Sequence, residues 1–408
     1  MRYQLLPRIY RARYLLPMSA PVIEDGAVLI HNGVILDVGK YSDLKPHYAS
    51  VAYHDLGAVL LLPGLINAHV HLDYTMMRGK LSAGDSFVTW IQKLNERKAS
   101  LHQEDYFKAI VEGAHELSTW GCTSCCNIES FADLIEKLPP LPLRTWHCLE
   151  MMDIRGREQG EQGLALLESL LRKKERLTTL LGISPHAPLT CSQRLYERAA
   201  FLARGHQLPF CTHLAESQEE LEMFAHSRGP WFDFLKRLGR EMSDCGEATA
   251  VQLLLKNNLL PRGSLLVHMN FLSVEDRALL AERGADFFVV HCPRTHQFFK
   301  RPPFDWKFFS QHGYRLLLGT DSLASNRELN LFAEMRTMAA VAPQLKPEEI
   351  IAMVTLSPAA ALGMDGKLGR LSRGAFAEMI TIPFEENLAY VYQAVLQNQQ
   401  PPNIISLS

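Results

Sequence analysis

Six histidines and one aspartate stand where short apolar runs end. His69 and His71 close the run at 65–71, and His186 follows the run at 179–185. His213 closes 208–214, His268 closes 264–269 and His291 closes 286–291, while Asp321 follows 315–320. A lone histidine is more often a core or surface residue than a ligand. This set recurs at matching ends of successive runs, which chance does not explain. His69-x-His71 has a geometric meaning of its own. Alternate residues on a strand point the same way, so two imidazoles about 6–7 Å apart at the backbone can close on one metal ion.

Such side chains converge only if the runs are parallel strands opening on one face. The chain reads that way from residue 65 on. Strands are predicted at 65–71, 121–128, 143–149, 179–185, 208–214, 264–269, 286–291 and 315–320. Helical periods fill the gaps, most clearly over 104–120, 161–176, 192–204 and 274–283. Eight strands alternating with helices predict an α/β fold, a closed (β/α)8 barrel of the TIM type with its site at the C-terminal strand ends. The ends of the chain differ. Ala27-Val-Leu-Ile and Val34-Ile-Leu flank His31-Asn32-Gly33, a hairpin signal, because both central residues of a type I′ turn need positive φ. Gly369 to Gly374 reads as a turn and Met379-Ile-Thr-Ile as a strand. Residues 1–60 and 366–408 are expected to form one small flanking β-sandwich, with 61–365 as the barrel.

Composition narrows the class. The 408 residues are 47% hydrophobic and 21% charged, with 42 Lys plus Arg against 44 Asp plus Glu, a net charge of −2. That balance builds a large core and excludes disordered, collagen-like and disulfide-stapled chains. It leaves no global electrostatic reason to bind nucleic acid or acidic membranes. No run approaches the roughly 18 apolar residues of a membrane helix. Arg8, Arg11 and Arg13 interrupt any signal-peptide core. Eight scattered cysteines without such a signal are expected as reduced thiols in a cytoplasm. Cys122-Thr-Ser-Cys125-Cys126 contains a Cys-x-x-Cys, but no second pair sits at finger spacing, so inert buried thiols are expected there.

Pro63-Gly-Leu-Ile-Asn-Ala-His69-Val-His71 resembles the opening metal motif of the amidohydrolase superfamily. Ser184-Pro-His186-Ala-Pro, Thr212-His213-Leu-Ala-Glu216-Ser217, Val267-His268 and Gly319-Thr-Asp321-Ser322 match its later motifs in order. The resemblance spans about residues 20–385. It is nearest to the aminohydrolase/chlorohydrolase branch, which holds cytosine, guanine and adenosine-derivative deaminases.

The resemblance implies that His69, His71, His213 and Asp321 ligate a metal. Three imidazoles and a carboxylate suit Zn(II), or Fe(II). Binuclear branches carry a carbamylated lysine after the fourth strand, where this chain reads Gly-Ile-Ser-Pro-His186, so one divalent ion is expected. Glu216 is implied as the proton shuttle, with a helix-capping glutamate as the structural alternative. His268 matches the residue that holds the attacking water, and Asp321 doubles as ligand and proton acceptor. His186 matches a substrate contact, and Trp90 sits where relatives keep an aromatic near substrate.

The chain departs from its relatives after strand seven, where His291-Cys-Pro-Arg294-Thr-His296-Gln-Phe-Phe-Lys300-Arg301 replaces the usual His-x-Pro-x-Ser-Asn. Arg294 and His296, with Lys300 and Arg301 nearby and with Arg155 and Arg157 in the loop after strand three, are expected to bind an anionic part of the substrate; a solvated basic loop is the alternative. The implied activity is hydrolytic deamination of an adenine-type nucleoside derivative, releasing ammonia. Aminodeoxyfutalosine, of a menaquinone route, ranks first because it carries a distal carboxylate. S-adenosylhomocysteine and methylthioadenosine follow. A guanine or cytosine deaminase, a chlorohydrolase and a catalytically silent scaffold are the alternatives. The expected partner is a small molecule, with a homodimer left open.

Overall fold

The computed structural model describes residues 6–84, 86–283 and 286–405. They fall into two compact units. One comprises residues 1–67, 116–124 and 330–408, and the other 68–115 and 125–329.

The first unit is built on β1 (Arg8–Leu15), β2 (Ile23–His31), β3 (Val34–Lys40), β4 (Ala52–Asp55) and β5 (Val59–Pro63). The predicted hairpin joins β2 to β3. Asn32 has φ 50° and Gly33 φ 72°, the positive values a type I′ turn requires. Two strands from the end of the chain, Met379–Pro383 and Asn403–Ile405, complete the seven-stranded sheet. Leu15, Val28, Ile30 and Leu61 share one core with Leu371, Ala377 and Met379. The unit expected as a sandwich is described by this single sheet.

The strand pairings described in the other two sheets are parallel. β6 (Leu65–His71), β7 (Cys122–Glu129), β8 (Arg144–Met151) and β9 (Leu180–Pro185) lie side by side in one sheet. β10 (Cys211–Leu214), β11 (Leu265–His268), β12 (Phe288–His291) and β13 (Arg315–Leu318) form a second. The two-residue β14 (Asp321–Ser322) pairs with β6, and a parallel bridge links Ile183 to Phe210. All eight principal strands overlap the predicted spans. Helices follow as expected, including Gln103–Thr119, Arg157–Arg172, Gln193–His206 and Val274–Arg283. β6 and β7 are buried along their whole length, the pattern of parallel strands covered on both faces.

Register places the chemistry. Asp321 pairs with Val70, between His69 and His71 on β6. His213 pairs with Val267, and Leu214 with His268. Gly319 lets β13 turn toward β6: a Cβ there would lie 2.7 Å from the His69 carbonyl oxygen and 2.8 Å from its Cβ. No described helix is long and apolar enough to cross a membrane.

Candidate active site

His69 and His71 end β6 as alternate residues and are buried. Their rings are nearly perpendicular, 86° apart, with centroids 4.9 Å from one another. Asp321 Oδ1 lies 3.8 Å from His69 Nε2 and 3.9 Å from His71 Nε2. His213 Nε2 lies 3.3 Å from His71 Nε2. The other ring nitrogen of His213, Nδ1, faces the His186 carbonyl oxygen at 2.9 Å. A carbonyl only accepts, so Nδ1 carries the proton and Nε2 offers its lone pair to the centre.

Burial, then the neighbouring imidazoles, pushes the proton affinity of His69 and His71 well below the usual histidine range. His69 and His71 are therefore held as neutral imidazoles beside the Asp321 carboxyl. Burial and Glu216 raise the Asp321 carboxyl to about 6. His71 Nε2 and His213 Nε2, 3.3 Å apart, can share one proton between them or turn both lone pairs to a cation. The donor set thus fits a divalent ion. Donor atoms of His69, His71 and Asp321 lie within 4.8 Å of one another, as do those of His69, His213 and His268. The Cys122, Cys125 and Cys126 thiols are buried and enter none of the ion-holding clusters among the described residues.

Glu216 stands just past β10. Its Oε1 lies 3.6 Å from His268 Nε2 and accepts Arg301 Nη2 at 2.9 Å. The capping duty weighed for Glu216 falls to other side chains. Ser217 caps the helix Gln218–His226 by accepting from the Glu220 amide, and Glu220 reaches back to accept the amides of Ala215 and Glu216 at 3.0 and 2.8 Å. Ala215, His268 and Asp321 all hold positive φ, at 52°, 78° and 56°. For residues with a Cβ this is strained backbone, of the kind that collects where side chains must be aimed.

His186 is also brought to the cluster, its ring centroid 5.0 Å from that of His213. Its Nδ1 bonds Thr190 Oγ1 at 2.7 Å, and its Nε2 lies 3.9 Å from Glu150 Oε1. Burial lowers His186 to about 4. Burial works against ionising Glu150, but His186, His71 and Lys98 outweigh it and hold the carboxyl at about 2.

Trp90 lies on the helix Phe87–Lys98, buried among Phe87, Phe299 and Tyr74. Arg294 Nη1 donates to Glu328 Oε1 at 3.0 Å. His296 is buried, with Nε2 2.6 Å from the Pro302 carbonyl oxygen and Nδ1 3.2 Å from Asn270 Oδ1. Arg155 is exposed, ahead of the helix Arg157–Arg172. His291 stacks on Phe304, with centroids 4.0 Å apart.

Sequence reasoning passed over Glu220 and Glu150, and did not foresee where Arg301 points. Glu220 had a signal, the Ser217-x-x-Glu220 capping pattern. Glu150 had a weaker one, an acid at the end of a predicted strand. Arg301 belongs to the basic loop noted after strand seven, but nothing in the sequence points it at Glu216, 85 residues away.

The chain belongs to the amidohydrolase family, which its residues 60–406 match. It is 31% identical over 385 residues to the 5-methylthioadenosine/S-adenosylhomocysteine deaminase of Syntrophobacter fumaroxidans, a match covering 91% of this chain and 83% of that one. It is 28% identical over 349 residues to the aminodeoxyfutalosine deaminase of Deinococcus radiodurans, covering 80% and 78%. Among solved structures, Helicobacter pylori aminofutalosine deaminase in complex with methylthio-coformycin superposes with a TM-score of 0.85 at 21% identity, over 98% of both chains. A zinc-bound adenosine deaminase of Xanthomonas campestris gives 0.79 at 23%, over 98% of this chain and 92% of that one.

Proposed function

We propose that this protein is a metal-dependent hydrolytic deaminase of an adenine-nucleoside derivative, working at the mouth of a (β/α)8 barrel. The observation that carries the reading is Glu216 Oε1 set 3.6 Å from His268 Nε2, beside the cluster of His69, His71, His213 and Asp321. The relatives named above support the nucleoside class.

His69, His71, His213 and Asp321 would hold one divalent ion, zinc by first choice. Such an ion, when bound, acidifies water and so supplies the nucleophile near neutral pH. Glu216 takes the proton of the attacking water and delivers it to the ring nitrogen beside the amine-bearing carbon. A second transfer through Glu216 reaches the leaving amine, which departs as ammonia. His268 orients the water through Nε2, and its lowered proton affinity keeps it neutral for that role. Asp321 takes the remaining hydroxyl proton as the carbon–nitrogen bond breaks, and this is the proton that passes through Glu216 to the leaving amine. His186 and Trp90 contact the nucleoside.

Aminodeoxyfutalosine remains the first substrate choice, followed by S-adenosylhomocysteine and methylthioadenosine. Ammonia release from this panel tests the reading. Turnover of an adenine nucleoside upholds it, and a fully metallated protein inert on every amine contradicts it.

A further inference from the structure

Arg301 occupies an unusual position for a permanently charged group. Its side chain is 5% exposed. Its guanidinium carbon lies 5.2 Å from the Phe87 ring centre and 4.7 Å from that of Phe299. Nη2 donates to Glu216 Oε1, while the buried Nη1 has no hydrogen-bond partner among the described residues. Phe87 is itself held in place, because its amide donates to Glu219 Oε1 at 3.0 Å.

The cation's one ion-pair partner among the described residues is Glu216, the carboxylate assigned to proton transfer. Each time Glu216 takes up a proton, Arg301 loses that negative charge. A buried guanidinium without a counter-ion is costly, and arginine cannot discharge itself. The nearby imidazoles of His268, His291 and His296 offer no anion, and Asp321, which also feels the Arg301 charge, makes no ion pair with it and belongs to the histidine cluster. A carboxylate arriving with the substrate would offset the loss, and the guanidinium fork with its idle Nη1 is built to take one at two points. Arg294 is less free for that duty, since Glu328 already holds its Nη1.

We propose that Arg301 is the specificity residue that binds a carboxylate carried by the substrate, leaving Glu216 as it does so. The inference rests on the deaminase reading and narrows it to adenine nucleosides with an anionic arm. An uncharged nucleoside must either leave the ion pair in place, which opposes protonation of Glu216, or strand the cation.

The test compares wild type with Arg301→Met and Arg301→Lys on two substrates: aminodeoxyfutalosine, which carries a carboxylate, and methylthioadenosine, which carries none. Met keeps an apolar stem between Phe87 and Phe299. Metal content and thermal midpoint are recorded for each variant, and only folded, metallated protein is compared. Arg301→Met is expected to lower the ratio of kcat/KM on the carboxylate substrate to kcat/KM on the uncharged one by about tenfold or more, chiefly through KM. Arg301→Lys should restore part of that ratio, because it restores charge without the fork. A ratio unchanged in Arg301→Met, whatever the absolute rates, would overturn the proposal and leave Arg301 acting on Glu216 alone. Failure of wild type on both substrates would instead sink the deaminase reading, so the two failures are told apart.

Discussion

The Glu220 carboxylate accepts the Glu216 amide at 2.8 Å, so one buried acid holds the backbone of another four residues before it. Its second oxygen takes the amide of Ala215, whose φ is 52°. The strained turn that aims Glu216 at His268 is thus held from below by Glu220. Glu220→Ala strands two amides in a buried turn, with an expected loss of about 1–3 kcal/mol. Turnover should fall with it while the metal stays. Denaturant unfolding and metal analysis check this; a variant of unchanged stability and activity would show that the turn stands without Glu220.

Glu216→Gln is expected to keep the metal and lose about 10²–10⁴-fold in turnover, because it removes a proton carrier and no ligand. Elemental analysis alongside steady-state kinetics separates the two effects. Loss of metal in this variant would mean that the ligand set has been misassigned.

Gly319→Ala tests the close approach of β13 to β6. The added methyl would press on the His69 backbone at under 3 Å, where nothing flexible can give way. The variant should lose roughly 1–3 kcal/mol of stability and bind the metal more weakly, since His69 is the group displaced. Full metal occupancy in Gly319→Ala would place the ligands outside the reach of that strand.

His296 gives a pH signature free of the metal ligands. Burial lowers its proton affinity from 6.5 to about 4. The folded protein therefore holds fewer protons than the unfolded chain between these values. The stability linked to neutral His296 is present above pH 6.5 and lost as pH falls toward 4. His296→Gln should flatten the fall by up to about 1.4 kcal/mol per pH unit in that window. Urea midpoints at several pH values measure it. An unaltered slope would mean that His296 titrates normally.

The legible part of the molecule was local. Asn32-Gly33 announces its hairpin because only positive φ closes that turn. The strands announce themselves as apolar runs buried on both faces. His69-x-His71 is readable because side chains alternate along a strand. What escaped was set by distance and by partners. Arg294 looked like the cation free to meet substrate, yet it pairs with Glu328, 34 residues on. Arg301, seven positions later, turns inward to Glu216 because Phe87 and Phe299 give its guanidinium two faces to stack on. No period or spacing carries that information. Glu220 stood in a recognisable capping pattern, but the capping alternative was weighed for Glu216.

The most direct test of the account is ammonia release by protein carrying about one divalent ion per chain, assayed with aminodeoxyfutalosine, S-adenosylhomocysteine, methylthioadenosine, adenosine and guanine, with Glu216→Gln beside it. The account predicts release from an adenine nucleoside, cut by about 10²–10⁴-fold in the variant at equal metal content. Fully metallated wild type that frees no ammonia from any of them, or Glu216→Gln as active as wild type, would contradict it.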